Sequence, residues 1–162
     1  MMEILSNKKI RIVLLFLIFS IIWKVSFELF KVDGYSMASS YTEGETVLVD
    51  KGYYWFNKPQ RGDVVVFWDH EDNDFLIKRI IGIPEDSIEV IDGVIFVNDL
   101  PLYDEFSDML LPNGGNYDDF DIYLNMGKVV INEGEYWLIG DNRSATWMGK
   151  IKEEDIIGIL KE

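Results

Sequence analysis

One end of this 162-residue chain is apolar on every face, and this constrains the fold more than any other feature. Ile10 to Trp23 reads IRIVLLFLIFSIIW and continues as Lys24-Val25-Ser26-Phe27-Glu28-Leu29-Phe30. A helix with no polar stripe cannot pack one-sidedly on a domain, so it needs lipid or complete burial. The uninterrupted run from Ile12 falls short of the roughly 20 residues that span a bilayer, and extension to Val32 restores the length. Lys24 and Glu28, four apart, would then pair or snorkel at the outer interface. Lys8, Lys9 and Arg11 precede the run, which places the N-terminus in the cytoplasm and everything beyond Val32 outside. No small-x-small cleavage site follows the run. This favours an uncleaved signal anchor over a cleaved signal peptide, and its terminal position argues against a buried helix of a soluble domain.

Beyond the anchor the pattern changes to short runs rich in Val, Ile and aromatics, divided by Gly, Pro, Asn and Asp. Strands are expected over Thr46–Asp50, Asp63–Trp68, Phe75–Ile81, Ser87–Ile91, Val94–Val97, Lys128–Ile131 and Glu135–Ile139, with no second helix. Asp92-Gly93 predicts a two-residue hairpin, because both central positions of a type I′ turn need positive φ. Leu100 to Asn125, with Pro101 and Pro112-Asn113-Gly114-Gly115, is read as a surface excursion within one domain. The expected organisation is a short cytoplasmic stretch over 1–9, a transmembrane anchor over 10–32, and a mainly β domain of antiparallel sheets over 33–162.

Composition removes several function classes. The absence of cysteine excludes disulfide scaffolds, thiolate zinc sites and cysteine nucleophiles. The single histidine, His70, lies in the acidic loop Asp69-His70-Glu71-Asp72-Asn73-Asp74 and is read as part of a solvated turn, so a Ser-His-Asp triad has little to rest on. Carboxylates around His70 and between 100 and 125 lack the spacing of an EF-hand loop and are also read as solvated. No cofactor or metal is expected. After Val32 the chain holds 10 basic and 27 acidic residues, which makes nucleic acid a poor partner.

Two distant residues carry the chemistry. Ser36, in Gly34-Tyr35-Ser36-Met37, is a candidate hydroxyl nucleophile on a flexible turn able to aim backbone N–H donors at a developing oxyanion. Lys78, in Ile77-Lys78-Arg79-Ile80-Ile81-Gly82, is a candidate base, provided burial lowers its pKa from about 10.4 toward 7 to 8. In a strand Leu76, Lys78 and Ile80 share one face, an apolar setting that disfavours the ammonium. The competing reading is an edge-strand lysine that reaches water. Met37 is read as packing that holds the serine turn. The run Tyr53-Tyr54-Trp55-Phe56 is either a membrane-interface patch or a segment with two rings in the core.

The order of segments resembles the type I signal peptidases of the bacterial Ser-Lys kind over nearly the whole chain. Gly34, Ser36, Met37 and Gly44 match the family's G-x-S-M-x-P-T-L-x-x-G-D. Arg61-Gly62-Asp63-Val64-Val65-Val66-Phe67 resembles its R-G-D-hydrophobic strand, and Lys78-Arg79-Ile80-Ile81-Gly82-Ile83-Pro84 its K-R-V-x-G-x-P-G-D segment. Asn98 to Glu105 echoes N-G-K-x-L-x-E, and Gly140-Asp141-Asn142-Arg143 opens the last family box. The resemblance implies a membrane-bound serine endopeptidase of two antiparallel sheets that removes signal peptides from exported precursors with small residues at the first and third positions before the cut. Ser36 would be nucleophile and Lys78 general base. The oxyanion hole would use the Ser36 N–H, and with Gly34 two positions earlier it would rely on main-chain donors. Ser39 and Ser40 stand where the family has Pro and Thr, Glu45 replaces Asp, and Glu85 replaces Gly. Glu85 matters most if that glycine uses positive φ. The last box runs Ser144-Ala145-Thr146-Trp147-Met148-Gly149 in place of S-x-D-S-R, leaving Ser144 or Thr146 as the candidate hydroxyl that orients the lysine. The shortened box also admits a non-catalytic, membrane-anchored relative that binds exported or pilus-type subunits and assists surface assembly. A soluble self-cleaving regulator is disfavoured by the apolar start.

Overall fold

A computed structural model describes residues 8–38, 40–102, 125–143 and 147–161. Helix α1 (Lys8–Ser26) leads into β1 (Phe27–Lys31) and β2 (Thr46–Asp50). Then follow β3 (Val64–Asp69), β4 (Asp74–Gly82), β5 (Ser87–Ile91), β6 (Val94–Val97), β7 (Leu100–Pro101), β8 (Met126–Val130), β9 (Glu135–Ile139), β10 (Met148–Lys152) and β11 (Ile156–Leu160). All neighbouring strands pair antiparallel. One sheet runs β1-β2-β11-β3-β4-β9-β10 and the other β7-β6-β5-β8. The predicted mainly β architecture is therefore observed.

The helix differs from its predicted extent. It ends at Ser26, and Phe27–Lys31 pairs with Asp50–Thr46 along its whole length. An apolar run allows either conformation; here the backbone groups of β2 find their partners in FELFK, and Phe30 packs against the core below. Among the described residues no helix is long and apolar enough to cross a membrane, because α1 carries Lys8, Lys9, Arg11 and Lys24 around its apolar centre. Among the described residues that centre is exposed, and at its end Trp23 meets Phe27 of β1. Ser26 is the helix's buried residue, while Ile12 to Trp23 presents exposed apolar side chains at every position but Ser20.

Residue alternation explains how the large sheet makes two cores. On β3, Val64 and Val66 point into one cluster with Val32, Met37, Val47, Val49 and Leu160. Val65 and Phe67 point into the other with Ile80, Tyr136, Leu138 and Ile151. A strand buried on both faces reads as a continuous apolar run, as VVVFW does. A third cluster joins the sheets, with Ile81, Trp137 and Ile139 of the large sheet meeting Ile88, Val97 and Ile131. There β4 carries a bulge between Ile80 and Gly82, which bends the strand toward the smaller sheet. Glycine is required at the bend: a Cβ on Gly82 would lie 2.4 Å from Ile131 Cδ1.

The hairpin at Asp92-Gly93 forms as expected, with φ of 48° and 77° joining β5 to β6. Glu85, in the proline turn between the sheets, has φ of 76°. A left-handed glutamate costs about 1–2 kcal/mol, partly offset by the entropy a glycine would lose on folding. Glu85→Gly is accordingly expected to stabilise the protein by about 0.5–1 kcal/mol, read as a higher urea midpoint at unchanged m-value. A lower midpoint would mean that the glutamate side chain contributes more than its backbone conformation costs.

The aromatic run Tyr53–Phe56 divides. Tyr54 packs against the second core cluster and donates to Asp63 at 2.8 Å, and Lys161 Nζ sits 4.0 Å over the Tyr53 ring. Trp55 and Phe56 face outward, Phe56 at 89% exposure.

Candidate active site

The segment after β1 forms a loop closed at its base by two backbone bonds, from Val32 N–H to Glu45 C=O and from Gly44 N–H to Val32 C=O, each 2.8 Å. Within it Gly34 takes φ of 77°, a conformation that suits glycine, and turns the chain so that Tyr35 to Tyr41 winds tightly. The N–H groups of Ser40 and Tyr41 both donate to the Met37 carbonyl. Met37 is 2% exposed in the first core cluster and anchors the turn, as the sequence predicts. Ser36, next to it, is left half-buried at the surface of the sheet.

Lys78 enters from the middle of β4. It pairs with Val65 of the doubly buried strand and lies between Leu76 and Ile80, both members of the second cluster. Its exposure is 3%, so the reading of a water-reaching edge lysine is ruled out. Lys78 Nζ lies 2.7 Å from Ser36 Oγ and donates to the Ile77 carbonyl at 3.0 Å. Burial lowers its pKa from 10.5 to about 8, against the opposing pull of the Asp69 and Asp141 carboxylates. About a tenth of the amine is thus neutral at pH 7, against well under a thousandth for an ordinary lysine. With the Ile77 carbonyl taking one N–H, the amine lone pair is free to accept the Ser36 hydroxyl proton.

Arg79, the next residue, organises the surroundings. Its guanidinium donates to Asp141 from Nε at 2.8 Å and Nη2 at 2.7 Å, and from Nη1 to the Gly62 carbonyl at 2.8 Å. Ser40 Oγ donates to the same Asp141 carboxylate at 2.5 Å. Ser40, which departs from the resembled pattern, therefore supplies the same hydroxyl chemistry as a threonine. Beside the pair lies a cleft of about 110 Å³ lined by Phe30, Val32, Met37 and Ile77, with exposed Asp33 and Asp74 also along it.

Not every predicted residue joins this group. Ser144 and Thr146, proposed to orient the lysine, lie outside the described residues, as does Ser39. His70 sits apart, 2.9 Å from Asp155 at the surface. The contribution of Ser40, Arg79, Asp141 and Asn142 to the site is not apparent from local sequence; the Gly140-Asp141-Asn142-Arg143 string was the available signal.

Comparison with known proteins identifies the family. The family model described as signal peptidase, peptidase S26, matches residues 5–161. Signal peptidase I U of Bacillus subtilis is 33% identical over 144 residues, covering 83% of this chain and 73% of the relative. Signal peptidase I V of the same organism is 31% identical, covering 82% and 83%. Signal peptidase I of Rickettsia typhi is 34% identical over 67% of this chain and 53% of its own length. A crystal structure of a signal peptidase I from Enterococcus faecalis superimposes with a TM-score of 0.52, covering 65% of this chain and 98% of that one; at 23% identity it speaks for the fold. With a family match from residue 5 to residue 161, the chain belongs to the signal peptidase family and is a serine peptidase.

Proposed function

We propose that this protein removes signal peptides from exported precursors with Ser36 as nucleophile and Lys78 as general base. The observation that carries the assignment is the 2.7 Å approach of Lys78 Nζ to Ser36 Oγ, with the amine buried and its pKa held near 8. Neutral Lys78 takes the hydroxyl proton as Ser36 Oγ attacks the scissile carbonyl, and the Ser36 N–H would donate to the developing oxyanion. The lysine then gives that proton to the leaving amine, which departs with the C–N bond. An ester to Ser36 remains, and water deprotonated by the same amine cleaves it. A non-catalytic subunit-binding relative would have no need of a buried lysine held against a serine.

The bilayer belongs to the same proposal. The apolar stretch of α1 between Arg11 and Lys24 is about 18 Å long at 1.5 Å per residue, short of the roughly 30 Å of a hydrocarbon core, so its seating in lipid relies on the flanking cationic side chains reaching the two interfaces. Its exposed apolar centre suits lipid, with Lys8, Lys9 and Arg11 on the cytoplasmic side and Lys24 reaching the outer interface. The Lys51 N–H donates to the Ser26 carbonyl at 2.6 Å, so the turn bearing Trp55 and Phe56 follows directly from the point where the helix ends. Trp23 and Phe27, their tilted rings 4.5 Å apart between centroids, extend the same apolar belt. The outward half of the aromatic run is thus assigned to the headgroup region, with the β domain outside the cell membrane.

The test is cleavage of a precursor carrying an Ala-x-Ala site by the full chain in lipid vesicles, followed across pH. Cleavage at that site is expected, with kcat/KM rising through about pH 8 and levelling above it. A group that must be neutral is protonated below its pKa, so the rate at pH 6 should be about 100-fold below the plateau. No cleavage across a panel of precursors overturns the peptidase assignment, and a flat profile from pH 6 to 10 overturns the lysine base.

A further inference from the structure

The two reacting side chains come from segments 42 positions apart, and a third segment, immediately after β9, is bonded to both. On the serine side, the Asn142 N–H donates to the Ser36 carbonyl at 3.0 Å, and Asn142 Nδ2 donates to the Tyr35 carbonyl at 3.0 Å. The Asp141 N–H points at Met37 Sδ at 3.4 Å, so Tyr35, Ser36 and Met37 are each tied to Asp141-Asn142. On the lysine side, the Asp141 carboxylate is gripped by Arg79, directly after Lys78. Asp141-Asn142 is therefore a common reference against which both residues are set.

We propose that Asn142 is a positioning residue whose side-chain amide holds the Ser36 turn at the distance from Lys78 at which proton transfer works. The proposal rests on the serine–lysine reading above. The turn bearing Ser36 has no regular strand pairing of its own, and the distance that matters is narrow: heavy atoms must stay within about 2.6–3.2 Å for general-base transfer. A displacement of about 1 Å at a reacting group can cost on the order of 100-fold. Asp141 anchors the reference dipeptide through Arg79 and Ser40, whereas Asn142 supplies the contact that reaches over to the serine turn. Its backbone N–H would persist in any variant, so the side chain can be tested separately.

Two variants separate positioning from folding. Asn142→Ala removes the Nδ2 donor. Asn142→Asp keeps the size but sets an acceptor against the Tyr35 carbonyl, so it should do no better than alanine. Both are expected to lower kcat by about 10- to 100-fold, with KM within about twofold. The melting temperature should stay within about 2 °C, and the Asn142→Ala pH midpoint should stay near that of the unaltered protein, because Lys78 remains buried. Wild-type kcat in both variants overturns the proposal. A loss that follows a fall in melting temperature, or one shown by alanine and fully relieved by aspartate, overturns it too, because space filling would then suffice. Ser36→Ala assayed alongside keeps the two readings apart: its activity would overturn the dyad itself, whereas a dead Ser36→Ala with fully active Asn142 variants overturns the positioning role alone.

Discussion

Ser36→Ala and Lys78→Met are each expected to reduce kcat by about 10⁴- to 10⁶-fold, because a nucleophile and its base act as one unit and losing either removes the covalent path. The double variant should be little worse than either single one. The two differ in what they do to stability, and this makes the lysine experiment decisive. Lys78 titrates at about 8 in the folded protein against 10.5 for an ordinary lysine. Between those values the unfolded chain holds a proton that the folded one has released, so stability rises with pH across that window, and below pH 8 the full cost of the buried ammonium is carried. Methionine keeps the length of the side chain and removes that cost. Lys78→Met should therefore gain about 1–3 kcal/mol at pH 7 while losing activity. A residue retained for packing alone would not combine lost activity with gained stability. Full cleavage by Lys78→Met in the vesicle assay would end the assignment of the base.

Asp141→Ala is expected to have the largest effect on stability. Asp141 is 2% exposed and Arg79 8%, so the variant leaves a buried guanidinium without the carboxylate that neutralises it. Removing one partner of a buried pair costs about 3–5 kcal/mol, a large share of the roughly 5–15 kcal/mol that stabilises a domain. Ser40→Ala, which removes a hydroxyl from the same carboxylate, should cost only about 1–2 kcal/mol. Urea unfolding of the three proteins checks the order. Equal midpoints for Asp141→Ala and the unaltered chain would mean that Arg79 finds another anion or that water reaches it.

Strands surrounded by clear punctuation were legible in the sequence. Thr46–Asp50, Ser87–Ile91, Val94–Val97 and Glu135–Ile139 match the predicted ranges residue for residue. Four strands were missed: β7, only the two residues Leu100–Pro101 inside the stretch read as a surface excursion, and β1, β10 and β11, whose local signals are weak. FELFK of β1 continues an apolar helix without a break, and MGKIK of β10 and IIGIL of β11 contain glycine, which weakens the local signal. All three are fixed by pairing with other strands, which local sequence does not report: β1 by β2, β10 by β9, and β11 by the distant β2 and β3. Gly158 on β11 has a tertiary reason as well, since a Cβ there would lie 2.6 Å from the Asp50 carbonyl oxygen.

The sequence by itself determined the apolar start, the mainly β composition, the Asp92-Gly93 hairpin, and the residue types able to run serine chemistry without cysteine or a histidine triad. These depend on side-chain identity, local spacing and backbone preference, which one strand or one turn contains entirely. The resemblance to a family drew attention to Ser36 and Lys78 but did not give the distance between them. Only the tertiary structure decided that Lys78 is buried rather than reaching water, because its desolvation comes from Val65 on another strand and from the cluster around Leu76 and Ile80. It alone also closed the gap from Lys78 to Ser36 and carried Asp141 and Asn142 across the chain to hold both, since a pKa and a hydrogen bond depend on what surrounds a group in space.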